Sequence, residues 1–189
     1  RIAKAFAWAG HEVHSISLVK AGFERANSPA KVFRAIRAPL DEFDPDLVVF
    51  GNLHGAHADA GLVGMFARRW PTFIVLHDLW WLTGRCAYTY GCLKLLDGCD
   101  ASCPTPNEYP QLASDKIAHA WRTKRAVLNA RSKPVLLANS RWTAKSACAA
   151  LTEGAGRLSA PPKVEEIRIG VPTDVFRPRN MGRCRSRFN

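Results

Sequence analysis

The sequence predicts an α/β fold, a doubly wound parallel sheet covered by helices on both faces, and three observations carry that prediction. Short uninterrupted apolar runs, Asp46-Leu-Val-Val-Phe-Gly51, Thr72-Phe-Ile-Val-Leu76 and Pro134-Val-Leu-Leu-Ala138, have the length and composition of strands buried on both faces. Segments with apolar residues at helical spacing separate them. The two kinds of segment alternate along the chain, as parallel strands joined by crossover helices must.

Each element has its own signal. Residues 1–9 read as a helix with Ile2, Ala5, Phe6 and Ala9 on one face, closed by Gly10. Val13, Ile16, Leu18 and Val19 suggest a strand. Ser28 then caps a helix whose first position is Pro29 and whose stripe is Val32, Phe33, Ile36 and Leu40. After the strand at 46–51, residues 57–69 look helical, with Leu62, Val63, Phe66 and Trp70 on one side. The strand at 72–76 ends at His77-Asp78, and a long irregular stretch follows over 79–112. Ser114 caps a helix carrying Ile117, Trp121 and Leu128. The strand at 134–138 leads into Asn139-Ser140, the cap of a helix ending near Gly154. Lys163-Val-Glu-Glu-Ile-Arg-Ile169 is the last strand.

Composition bounds the partners. With 189 residues, 47% hydrophobic and 23% charged, the chain can bury a real core. No apolar run reaches the roughly 18 residues that span a bilayer, and the start carries no signal peptide. The net charge of +11 invites a nucleic-acid reading. Much of it, however, sits in Arg177, just before a tail (179–189) expected to be basic and unfolded, and in Arg179, Arg183, Arg185 and Arg187 within it, so no nucleic-acid partner is expected. A second basic group, Lys116, Arg122, Lys124, Arg125, Arg131 and Lys133, reads either as a solvated helix face or as a contact for an anionic membrane or substrate. Four of the six cysteines crowd into one segment instead of spreading as a secreted disulfide framework would, which favours a reducing compartment.

In a doubly wound sheet, ligands bind beyond the carboxyl ends of the strands. That rule points to 51–57, to His77-Asp78 and to Ser140. His54, His57, His77 and Asp78 could serve a metal-dependent hydrolase, although their spacing matches no strong zinc motif. No Gly-rich phosphate loop follows a strand, and Gly154-Ala-Gly156 closes a helix. The stretch 79–112 is too long for a structureless connection. It holds Trp80, Trp81, Tyr88, Tyr90 and Tyr109, whose rings can stack on sugars while their polar edges bond hydroxyls. It also holds Cys86, Cys92, Cys99 and Cys103. These read as reduced thiols or as a structural zinc site, with disulfides or an iron–sulfur cluster as further alternatives.

The run His77-Asp-Leu-Trp-Trp-Leu-Thr-Gly-Arg-Cys86-Ala-Tyr88, then Gly91-Cys92, Gly98-Cys99 and Cys103-Pro104, resembles a subgroup of the GT-B glycosyltransferases. This is the family-4 type that includes colanic-acid and other exopolysaccharide enzymes. Gly10-His-Glu-Val13, Asn52-Leu-His54-Gly, Asn139-Ser140-Arg-Trp142 and Ile167-Arg-Ile-Gly170-Val-Pro-Thr-Asp174-Val-Phe176-Arg-Pro178 resemble further family segments in the same order. The resemblance covers 1–178. It implies the N-terminal, acceptor-side Rossmann-like domain of a two-domain enzyme. Such an enzyme transfers a sugar, of hexosyltransferase type, from a nucleotide-sugar donor to a saccharide or lipid-linked acceptor, with retention of configuration and no required cofactor.

Carried over residue by residue, the resemblance implies that His77 lines the cleft near the donor sugar. Asp78 would orient it or touch the acceptor. Asn52, His54, Trp80, Thr83, Tyr88 and Ser140 would contact the acceptor. The location implied is cytoplasmic, at most peripheral on the inner face of a membrane. The family's opening strand and its C-terminal donor-binding domain have no counterpart in this sequence, Ile169 and Pro172 depart from the closing pattern, and the tail matches nothing. The expectation is a fragment inactive by itself. A non-enzymatic zinc- or nucleic-acid-binding module and a metal-dependent hydrolase are the alternative readings.

Overall fold

The structure, a computed structural model, describes residues 2–18, 28–54, 59–168 and 170–186. Four strands form one all-parallel sheet in the order β1-β2-β3-β4: Val48–Phe50, Thr72–Leu76, Val135–Ala138 and Val164–Glu166. Phe50 lies opposite Ile74, Leu76 opposite Ala138, and Ala138 opposite Glu166. The register therefore brings the residues that follow β1, β2 and β3 to one rim, the place where α/β sheets bind ligands. The fold is α/β and Rossmann-like, as the alternation predicts. Among the described strands the order does not reverse, so every crossover steps the same way. Helices α3 (Gly61–Ala67), α5 (Ser114–Asn129) and α6 (Arg141–Thr152) lie in these crossovers, and the reversal of strand order that a doubly wound sheet would show is not seen among the described strands. Helices α3 and α5 approach closely, and a Cβ at Gly64 would lie 3.2 Å from Val127 Cγ2.

Two apolar clusters hold this arrangement. Ile74, Leu76 and Leu136 of the central strands pack with Val63, Leu128 and Leu151 of the crossovers. The second cluster joins Val32, Ile36 and Leu40 of α2 (Pro29–Phe43) to Leu62, Phe66 and Trp70. Pro29 opens α2 as predicted, but the Ser28 side chain makes no capping bond. Helix α1 (Ile2–Trp8) closes at Gly10, whose φ of 89° is the left-handed geometry glycine tolerates.

Several expectations need correction. Residues 11–17 form no strand; Ile16 and Leu18 are fastened by their side chains, which pack on the clusters, and not by a backbone ladder. Val19 lies outside the described residues. Strand β1 is only half-buried because it is the edge of the described sheet. Ser114 is the first helical residue of α5, with Ala113 at the cap position. The last strand is shorter than the predicted 163–169, and Ile169 lies outside the described residues. The irregular stretch contains a 3-10 turn at Trp80–Leu82 and the short α4 (Lys94–Asp97). In the basic tail, where unfolded chain is expected, Met181–Arg185 form a short helix, α7; Arg187 lies outside the described residues.

The largest correction concerns charge. Lys116, Arg122 and Arg131 are exposed, but Lys124 and Arg125 are 2% and 6% exposed. They are not part of a solvated face. The α5 stripe Ile117–Trp121–Leu128 continues through positions 124 and 125, so these two side chains enter the interior and bond main-chain carbonyls. Among the described residues no helix is long and apolar enough to cross a membrane.

Candidate functional site

The rim beyond β1 and β2 carries an acid–imidazole pair. Leu53 is buried, anchoring the chain just after β1, and the next residue, His54, turns toward the end of β2. His54 Nε2 lies 2.9 Å from Asp78 Oδ2, and the two side chains are 8% and 11% exposed. The other oxygen, Asp78 Oδ1, accepts from the Trp80 backbone N–H at 2.9 Å. The carboxylate is thus held at both oxygens, and it orients the ring. His54 Nδ1 faces the other way and lies 3.1 Å from the Tyr109 hydroxyl. With Asp78 accepting from Nε2–H, Nδ1 of a neutral imidazole is the acceptor in this contact.

These groups border an open cleft of about 380 Å³. Its other walls are Ala87, Tyr88, Tyr90, Glu108 and Tyr109, all supplied by the stretch after β2. Tyr88, Tyr90 and Tyr109 are 50%, 86% and 72% exposed, so their rings are accessible to a ligand. Trp80 stands against His54 with ring centroids 5.8 Å apart. Such a cleft, with aromatic faces beside a few fixed polar atoms, suits a polyhydroxylated ring.

The long stretch reaches the rim because it is folded back on itself. The Leu79 N–H donates to Ala87 O at 2.8 Å. Arg85, 3% exposed, donates from Nη1 to Glu108 O at 2.5 Å and to Pro110 O at 3.0 Å, and from Nη2 to Thr105 Oγ1 at 2.6 Å. One buried guanidinium therefore fixes the segment that delivers Glu108 and Tyr109.

The sequence-predicted residues divide. His54, Asp78 and Tyr88 meet at the cleft, with Trp80 behind His54. His77 follows β2 but is not among the lining residues; its carbonyl accepts from Asn139 Nδ2 at 3.2 Å. Asn52 is exposed and does not line the cleft either. Thr83 is 1% exposed and donates its hydroxyl to Cys86 O at 2.7 Å, so it braces the turn and cannot reach a ligand. Ser140 Oγ accepts from Thr143 N at 3.1 Å and is the N-cap of α6, the capping role the sequence also predicts. His57 lies outside the described residues. Sequence reasoning missed Arg85 and Glu108, while Tyr90 and Tyr109, named only among aromatics able to stack on a sugar, line the cleft.

Cys86, Cys92, Cys99 and Cys103 are free, half-buried thiols. Burial pushes the thiols of Cys86 and Cys99 upward, toward the protonated form. Among the described residues no three His, Cys, Asp or Glu side chains stand as a metal-ligand set.

No family model matches the chain, and no solved structure matches it. Among curated proteins, the chain is 51% identical over 50 residues to a protein of Escherichia coli (strain K12) named as the colanic acid biosynthesis glycosyl transferase WcaC. The matched stretch is 26% of this chain and 12% of that protein. Over that stretch the chain is similar to a glycosyltransferase.

Proposed function

We propose that the chain is the acceptor-side part of a retaining, nucleotide-sugar-dependent glycosyltransferase of the GT-B, family-4 type, and that the cleft at His54 receives a saccharide or lipid-linked acceptor. The observation that carries this reading is the His54–Asp78 pair set between aromatic walls. His54 Nδ1 points at the place an acceptor hydroxyl would take, now filled by the Tyr109 hydroxyl. Asp78 fixes the tautomer that leaves this nitrogen free to accept.

In the reaction, an acceptor hydroxyl attacks the anomeric carbon of the donor and the nucleoside diphosphate leaves. The cleft contributes positioning, an effect of proximity. Stabilisation of the leaving diphosphate is left to groups beyond those described here. His77, on the same rim but off the cleft, is assigned to the donor side. The setting is cytoplasmic, at most peripheral on an anionic membrane. No metal or cofactor takes part in the acceptor's binding, and the chain by itself turns over no donor.

A glycan array of bacterial oligosaccharides tests the acceptor site. The chain is expected to retain at least one class of saccharide, and His54→Ala to weaken that retention by about tenfold, the scale of one hydrogen bond. Retention unchanged in His54→Ala would contradict the assignment.

A further inference from the structure

Resting on that reading of the cleft, we propose that Lys124 is a positioning residue of the site: its ammonium fixes the Trp80–Gly84 turn, and through the turn it sets Asp78 against His54. Lys124 lies on α5, outside the cleft lining. Its Nζ donates to Trp80 O at 2.7 Å, Thr83 O at 2.9 Å and Gly84 O at 3.2 Å, and stands 3.5 Å from the Trp80 ring centroid. An ammonium has three N–H donors, and here all three meet carbonyls of one turn. The ring face of Trp80 adds a further attraction.

The link to the cleft passes through Trp80. Its carbonyl is held by Lys124, while its own N–H donates to Asp78 Oδ1. Asp78 Oδ2 then meets His54 Nε2. A continuous path of hydrogen bonds of 2.9 Å or less therefore runs from a buried cation to the imidazole. Lysine is almost never fully buried without a partner. Among the described residues, none of the carboxylates is within ion-pair distance of Lys124, and the turn's carbonyls take that place. If the position only filled space, an apolar residue of similar volume would serve as well.

The electrostatics fit this role. Burial brings the lysine's pKa down to about 7, against the opposing influence of Cys99 and Cys86 in the loop, Asp78 after β2 and Asp59 before α3. The charged form, with its full set of donors, is therefore drained as pH passes through that value.

Nuclear magnetic resonance of the full chain, without saccharide, tests the path. The reporter is solvent exchange of the His54 Nε2–H proton, which Asp78 shields. Lys124→Met removes the donors at nearly constant volume and is expected to speed that exchange by about tenfold or more. Thr83→Val, which removes the hydroxyl's bond to Cys86 O and its longer one of 3.4 Å to Trp80 O, loses stability but leaves the Lys124–Trp80 contact and changes the exchange by less than about twofold. Protected His54 in Lys124→Met, or equal loss in both variants, would overturn the proposal. Should Lys124→Met fail to fold, the natural chain is titrated from about pH 6 to about pH 8.5. The Trp80 carbonyl carbon must then shift in step with Lys124 Nζ, and a stationary Trp80 signal overturns the proposal. No saccharide enters either readout, so these results stand apart from the array.

Discussion

In the sheet, Ile74, Leu76 and Leu136 sit at 0–1% exposure among other apolar side chains. The stretch that forms the cleft is fastened differently, by Arg85 and Lys124 reaching main-chain carbonyls across gaps of 23 to 44 residues in sequence. Arg125 does the same at the neighbouring turn, bonding Ala150 O at 2.8 Å and Gly156 O. The two regions show what each kind of residue can specify. Apolar burial is non-directional and sets a layered sheet. A loop with little regular structure leaves many carbonyls without partners, and a buried cation with several donors satisfies them while fixing geometry. The fastening is imperfect: Arg85 Nε and Arg125 Nε and Nη1 are buried without a hydrogen-bond partner among the described residues.

Backbone approach is the sharpest way to break the contrast. A Cβ at Gly84 would lie 2.6 Å from Ile117 Cγ2, 2.8 Å from Cys99 Cβ and 3.0 Å from Ile117 O, so the turn must move away from α5. Gly84→Ala is expected to cost about 1–3 kcal/mol in urea denaturation, the scale of overpacking with displaced backbone. Gly51→Ala, at the end of β1 where nothing lies within 4 Å, should change stability by less than about 0.5 kcal/mol. Similar losses at both positions would erase the distinction between loop and sheet end.

Titration gives a smaller effect. The folded chain holds the Lys124 pKa at about 7, below its ordinary value of 10.5, so between these pH values the unfolded chain binds more protons. Stability should therefore rise as pH goes from about 7 to about 9, because proton loss relieves the burial of charge even as it takes a donor from the turn. Above about pH 9 the raised thiols of Cys86 and Cys99 act in the opposite sense, and stability should fall. Denaturation midpoints measured across this range, with Lys124→Met as the comparison, check both limbs; the rise should vanish in the variant.

Much of the fold was legible because its signals are periodic. Thr72–Leu76 is the strand its apolar run announces, and Ser140 caps α6 as its position before the helix suggests. The site was legible only in part. Strand ends identify His54 and Asp78 as rim residues, but no local pattern pairs two side chains 24 positions apart. Lys124 and Arg125 were misread because charge outweighed position. Their spacing from Ile117, Trp121 and Leu128 on α5 was the available signal, since a helix face that is apolar at four-residue steps points inward whatever occupies the steps between. Arg85 left no such trace, because its partners are carbonyls at 108 and 110 and the Thr105 hydroxyl, and carbonyls have no residue-type signature.

Amide hydrogen exchange of Arg85→Met, resolved by segment, tests most directly whether buried cations hold the cleft-forming stretch. Protection should fall over residues 79–112 while β2 and β3 stay as slow as in the natural chain. Loss spread evenly over sheet and loop, or full protection of the loop without this guanidinium, would contradict the account.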